Sequence, residues 1–334
     1  YEGRNRPDRR VSLEAARAAR LTLDWAAQPA PRPSFTGVRT LADYPLDELV
    51  ERLDWTPFFA TWELKGRFPA ILDDPVVGAA ARELYYDAQA MLARIGPESL
   101  LRADAVVGFW PDGATADDDI VVFGDDERTT ELARMHTLRQ QVARRDGRAD
   151  LALSDYVAPL DAGVDDFVGA FAVTAGHGLA EHKAAFEATH DDYSAILLTA
   201  LADRLAEAFA ERLHERVRQE LWGYAADEAL DNESLIAEAY QGIRPAPGYP
   251  ASPDHTEKAT IFGLLEASER AGIELTETMA MLPAASVSGL YLWRPEARYF
   301  GVGKIDRDQL EDYAARKGWS LTEAERWLAP NLVS

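Results

Sequence analysis

Residues 240–250 read Tyr-Gln-Gly-Ile-Arg-Pro-Ala-Pro-Gly-Tyr-Pro, placing one arginine, three prolines and a Gly-Tyr pair in a single short stretch. Arg244 carries a planar fork of N–H donors whose shape matches a carboxylate. Pro245, Pro247 and Pro250 each fix φ and restrict the residue before them, Ala246 among these, so the loop is extended and loses little entropy on gripping a ligand. Gly248 can take a positive φ and admits a ligand to the main chain, with the Tyr249 ring beside it. The same residues also describe a proline-rich surface loop whose arginine pairs with a neighbouring acid. Taken alone, the loop leaves both readings open.

Other chemistry is missing. No G-x-G-x-x-G follows a strand and no P-loop is present, since Gly303-Lys304 is followed by Ile305 and has no glycine five residues earlier. No serine lies in a G-x-S-x-G elbow, and the six histidines lack H-E-x-x-H spacing. We therefore expect no catalytic nucleophile or base and no metal site. Zero cysteines exclude disulfides and thiolate ligands and fit a reducing cytosol. With 57 acidic against 35 basic residues the net charge is −22, which argues against nucleic acid and anionic membranes as partners. No apolar run is long enough to span a bilayer.

The positioning elements follow from periodicity. Residues 1–40 have the composition of an interdomain linker with a short helix after Ser12, and the compact part begins near Leu41. The chain opens without an initiator Met, as a C-terminal piece of a longer protein would. Leu46, Leu49, Val50 and Leu53 have helical spacing, and a helix is predicted from Pro75 to the stop at Gly96-Pro97. Ala105–Trp110 and Asp119–Phe123 predict a hairpin, 129–145 is ambiguous between strand and helix, and 166–174 is another strand. The longest helix is predicted from about Asp191 to Trp222, with Leu197, Leu201, Leu205, Phe209, Leu213 and Val217 as one ridge and His190-Asp191-Asp192 as its cap. A helix opens with a capping-box pattern at Asp254-His255-Thr256-Glu257 and closes at Gly272. Two strands, Ala285–Trp293 and Arg298–Ile305, and two short helices complete the chain. Grouped hairpins with helices before, between and after them predict an α+β fold with an antiparallel sheet.

Asp54-Trp55-Thr56-Pro57-Phe58-Phe59, Ala158-Pro159, His190-Asp191-Asp192-Tyr193, Leu201–Glu207, Arg244–Tyr249 and Ala285-Ser286-Val287-Ser288-Gly289 together resemble the C-terminal reactivation domain of cobalamin-dependent methionine synthase, over roughly residues 41–334. The resemblance implies a C-shaped single domain with a bent antiparallel sheet and flanking helices, preceded by an extended linker. It implies binding of S-adenosylmethionine, whose methyl group serves the reductive methylation of cob(II)alamin in a cytoplasmic enzyme of methionine biosynthesis. The cobalamin would come from a preceding domain, and the electron from flavodoxin or a related reductase. Carried over by position, Arg244, Ala246, Gly248 and Tyr249 fall in the donor-binding loop. Asp54 falls on the contact to the donor's ammonium, Tyr299 and Phe300 on an aromatic pair, and Glu207 on a further acidic position. The second member of the pair is often Tyr in the family. The chain lacks an Asp-x-His-x-x-Gly element, which agrees with a cobalamin module lying elsewhere. A free-standing S-adenosylmethionine-dependent methyltransferase and a flavodoxin-docking module without ligand are the alternative functions.

Overall fold

A computed structural model describes residues 10–143 and 147–333. Its centre is an antiparallel sheet of six strands: β1 (Gly37–Leu41), β2 (Arg102–Ala114), β3 (Asp119–Phe123), β4 (Glu131–His136), β5 (Phe167–His177) and β8 (Ser286–Tyr291). The order is β4-β3-β2-β5-β8, with β1 also on β2. β2 changes neighbour along its length: Ala105–Phe109 pair with β1, and Asp112–Ala114 pair with β3, with Pro111 between. A proline fits there because it has no N–H to give to a ladder. A separate two-stranded ribbon joins β6 (Glu274–Leu275) to β7 (Met281–Leu282).

Both faces of the central sheet are buried, so β2 and β5 read as continuous apolar runs instead of alternating ones. Ala103, Ala105, Val107 and Phe109 of β2 point into one core with Phe171 and Val173 of β5, whereas Val106, Trp110, Val168 and Ala170 point into the other. The first core is closed by α2 (Leu46–Val50), α3 (Trp55–Thr61), α4 (Gly78–Ile95) and the long α6 (Asp192–Arg216), the second by α8 (Glu257–Leu265) and α9 (Ala267–Ala271). A third small core is built by α10 (Arg307–Lys317) and α11 (Leu321–Leu328). α1 (Leu13–Ala18), α5 (Leu179–Ala188) and α7 (Asn232–Ile236) are peripheral. The α6 ridge is buried throughout, Asp191 caps its start by accepting the Ser194 N–H at 3.0 Å, and a π turn over Val217–Leu221 ends it before Gly223.

Several expectations need correction. The sheet begins at Gly37, inside the stretch assigned to the linker, and residues 10–36 lie along the body of the protein: Trp222 Nε1 donates to Pro31 O at 2.8 Å and Arg294 Nη1 to Gln28 O at 2.6 Å. α4 starts at Gly78, not Pro75, because Asp74 takes the Val76 and Val77 N–H groups and holds the chain in a turn first. The Asp254–Glu257 capping box does not form. Asp254 accepts from Thr256 N, while Glu257 is buried and bound to Lys317 Nζ at 2.6 Å. That helix is also broken at Glu266, which sits at φ +51° and divides α8 from α9. Residues 298–305 are not a strand. They run past the 249–250 loop, with Val302 N–H on Pro250 O at 2.8 Å, and Gly303 at φ +74° breaks any extended ladder.

Candidate functional site

The 243–245 segment is held straight by pairing with the chain just beyond β8. Ile243 and Leu292 exchange both backbone hydrogen bonds, and Leu290 N–H donates to Pro245 O at 2.9 Å. This approach needs Gly289, since a Cβ there would lie 2.6 Å from Pro245 O. The pairing fixes the point from which Arg244 reaches towards α6. Its Nη2 donates to Glu211 Oε2 at 2.7 Å, and its Nη1 to the Tyr240 hydroxyl at 2.8 Å and to His214 Nδ1 at 3.1 Å. Three of its five N–H groups are thereby used, leaving Nε and the second hydrogen on Nη2.

Arg244, Asp54, Glu207 and Glu211 line one recess of about 150 Å3, together with Arg52, Leu235, Ile236 and Glu238. Asp54 sits at the start of α3, where its Oδ1 accepts the Thr56 N–H at 3.0 Å as an N-cap. Oδ2 has no partner among the described residues, so one carboxylate braces the turn with one oxygen and offers the other to the recess. Glu207 is exposed on α6, one helical turn before Glu211 and on the same face. Asp54 and Ile236 also border a larger adjoining groove of about 790 Å3 that includes Trp55, Phe68 and Asn232.

The charges are tuned by burial. Burial raises the Glu211 carboxyl above its ordinary range, and Arg244 and Arg218 only partly offset this. Burial opposes the Arg244 charge, but Glu211 and the nearby tyrosines outweigh it and hold the guanidinium above its usual value. His214 is fully buried and pushed well below its ordinary range by burial, with Arg218 and Arg244 adding to the effect.

The remaining expected residues, Ala246, Gly248, Tyr249, Tyr299 and Phe300, do not line this recess. The Tyr299 hydroxyl accepts the Arg244 backbone N–H at 3.0 Å and lies 3.4 Å from that of Tyr240, leaving the Tyr299 ring 37% exposed. Tyr249 is 59% exposed and lies near Glu207, which adds to the upward push that burial gives its hydroxyl. Ala246 is half-buried and its carbonyl accepts the Tyr249 N–H at 3.2 Å, closing the loop's turn. Gly248 takes φ +96°, and a Cβ there would strike the His255 ring at 2.3 Å, so the glycine answers to a neighbouring side chain as much as to a ligand. Phe300 is half-buried, packed edge-on towards Tyr156 at 6.4 Å between centroids, a packing position that needs no hydroxyl.

Comparison with known proteins decides the family. The model of the vitamin B12 dependent methionine synthase activation domain matches residues 45–318. This chain belongs to that family. A crystal structure described as the MetH reactivation domain bound to AdoHcy is similar at 52% identity and TM-score 0.94, over 97% of this chain and 99% of that one. The α+β fold with its antiparallel sheet is thus that of the reactivation domain.

Within this domain, sequence reasoning missed Glu211 and His214. Both were detectable in principle, because they follow Glu207 on α6 at i+4 and i+7 and therefore share its face. Burial marks them out, and burial is what a lone sequence hides. Among the described residues no group of three or more His, Asp or Glu side chains is placed to hold a metal, and no helix is long and apolar enough to cross a membrane.

Proposed function

We propose that the chain binds S-adenosylmethionine at the recess between α6 and the 243–250 loop and presents its methyl group for the reductive methylation of cob(II)alamin. The observation that carries this reading is the placement of the free Asp54 oxygen and the unused Arg244 N–H groups on one recess, where an α-ammonium and an α-carboxylate need opposite charges close together. The similar MetH reactivation domain, solved with AdoHcy, supports the same class of ligand.

Each residue then has a separate task. Asp54 Oδ2 takes the ammonium and Arg244 takes the carboxylate with its two remaining donors. Tyr299, its hydroxyl pinned to the Arg244 main chain, offers an exposed ring face for the adenine. The acids Asp54, Glu207, Glu211 and Glu238 outnumber Arg52 and Arg244 around the recess, which suits a ligand of net positive charge. A recess of about 150 Å3 fits the amino-acid end and leaves the nucleoside to the open loops around Tyr249 and Tyr299. Cobalamin, held by another domain, would supply the nucleophilic metal, so no residue of this chain needs to act as a base. The contribution of the chain is positioning.

The cobalamin-binding domain of the same enzyme and flavodoxin or a related reductase are the partners we infer. The test combines cobalamin-binding domain in the cob(II)alamin state, reductant and methyl-labelled S-adenosylmethionine, with and without this chain. We expect label on the corrinoid only when the chain is present, and no turnover by the chain alone. Methylation of other acceptors without corrinoid would favour a free-standing methyltransferase, and absence of ligand binding would favour a docking module.

A further inference from the structure

Arg244 can serve a carboxylate only if its guanidinium is held in one orientation, and His214 is placed to hold it. His214 and Glu211 lie three residues apart on α6 and reach Arg244 from the same side. Arginine nitrogens only donate, so His214 Nδ1 must accept the Nη1 hydrogen and carry no proton itself. The remaining proton therefore sits on Nε2, which donates to the Tyr224 hydroxyl at 3.3 Å. The ring cannot turn away. It stacks on Tyr291 with centroids 5.2 Å apart and 19° between planes, and meets Tyr240 edge-on at 4.8 Å. A protonated imidazole here would place a third cation beside Arg244 and Arg218, and it would lose its acceptor.

We propose that His214 is a positioning residue for the ligand's carboxylate: as the neutral Nε2–H tautomer it anchors Arg244 Nη1, so that Nε and the second Nη2 hydrogen stay available to the recess. Glu211 fixes the other end of the fork, and Tyr240 shares Nη1. This inference rests on the proposed binding of S-adenosylmethionine, and nothing in it requires His214 to touch the ligand. A purely structural histidine would affect every ligand alike. An arginine-positioning histidine affects only those bearing a carboxylate.

The test measures affinity for S-adenosylmethionine and for its decarboxylated form, which keeps adenosine, sulfonium and ammonium. His214→Phe keeps a flat ring against Tyr291 and removes the acceptor. We expect it to weaken S-adenosylmethionine binding roughly tenfold, as loss of one charge-assisted hydrogen bond would, while binding of the decarboxylated form stays within about twofold of wild type. His214→Asn, whose amide oxygen falls near the Nδ1 position, should recover part of the loss. Equal losses for the two ligands, or no loss for either, would overturn the proposal. Should the Phe variant fail to fold, the imidazole 15N shifts of the wild-type chain decide the matter: protonated Nε2 with bare Nδ1 near neutral pH supports it, and the opposite tautomer or a charged ring overturns it. Wild type that binds neither ligand would refute the functional reading itself, whereas wild type that binds with an indifferent His214→Phe refutes this inference alone.

Discussion

In the proposed function Asp54 and Arg244 each combine a structural role with a ligand-directed one, and the two roles separate under substitution. In Asp54→Asn the side-chain oxygen that accepts the Thr56 N–H remains, so the melting temperature without ligand should stay close to wild type. The charge facing the recess is gone, and S-adenosylmethionine binding should weaken by about 1.5–3 kcal/mol in a calorimetric titration. A variant that melts far earlier yet binds normally would leave Asp54 a brace and nothing more. Arg244 differs because its partner Glu211 is buried. Arg244→Ala takes away that carboxylate's hydrogen-bonded partner and leaves Arg218, 4.0 Å from it, to face its charge at neutral pH, costing roughly 2–4 kcal/mol of stability, and Arg244→Lys should bind ligand better than Ala without matching wild type. The Glu211 carboxyl already lies above its ordinary range through burial, so its protonated form favours the folded state and its ionisation at higher pH works against it. Losing Arg244 raises it further. The stability deficit of Arg244→Ala should therefore shrink as pH falls from neutrality towards the usual carboxylate range, as melting scans at successive pH values would show. A deficit that grows on acidification contradicts this assignment.

Among the elements, the 243–250 loop is the one whose conformation the site depends on, and Gly248 is its most constrained position. Gly248→Ala meets both a positive φ and the His255 ring, so about 1–3 kcal/mol of strain should appear as weaker S-adenosylmethionine binding, loop displacement or both. Adding His255→Ala relieves the clash but not the φ, so recovery should be partial; full recovery would show that the side-chain contact alone required the glycine. The loop's stiffness and the α6 ridge were legible in the sequence because local chemistry dictates them: prolines fix φ, and i+4 leucines make a stripe. The β2–β3 hairpin was legible only in outline, since the residues that pair with β3 are Asp112–Ala114, while Ala105–Trp110 pair with β5. What escaped was set by partners distant in sequence. Glu257 looks like a capping residue until Lys317, sixty positions later, takes it. Residues 298–305 have strand composition, yet they pass over Pro250 and end in the small third core without joining a ladder. β1 hides in a linker-like composition, because its pairing with Ala105–Phe109 is a tertiary event. The site divided in the same way. Its Arg, Gly and Tyr residues were visible as a motif, whereas Glu211 and His214 were visible only as members of a helix.

At the scale of the whole molecule, charge links the N-terminal segment to the body. Residues 1–40 contain eight arginines against four acids, in a chain of net charge −22. Arg17 meets Asp118 and Asp312 at 2.9 Å each, Arg10 meets Asp306 at 2.6 Å, and Arg32 meets Asp126 at 2.8 Å. A chain beginning at residue 37 should therefore melt earlier than the full one. The gap should narrow in high salt, where the partly exposed Arg10–Asp306 and Arg32–Asp126 pairs are screened within about 3–10 Å, while Arg17 on the buried Asp118 is screened less. Identical melting of the two chains would show that the segment only lies on the surface. The proposed function of the whole molecule requires that the recess between α6 and the 243–250 loop receive S-adenosylmethionine. Titration calorimetry of the isolated chain with that ligand tests it most directly. We predict reversible saturation at a single site, with the heat greatly reduced in Arg244→Ala; no detectable binding at millimolar ligand, or binding indifferent to Arg244, would contradict the proposed function.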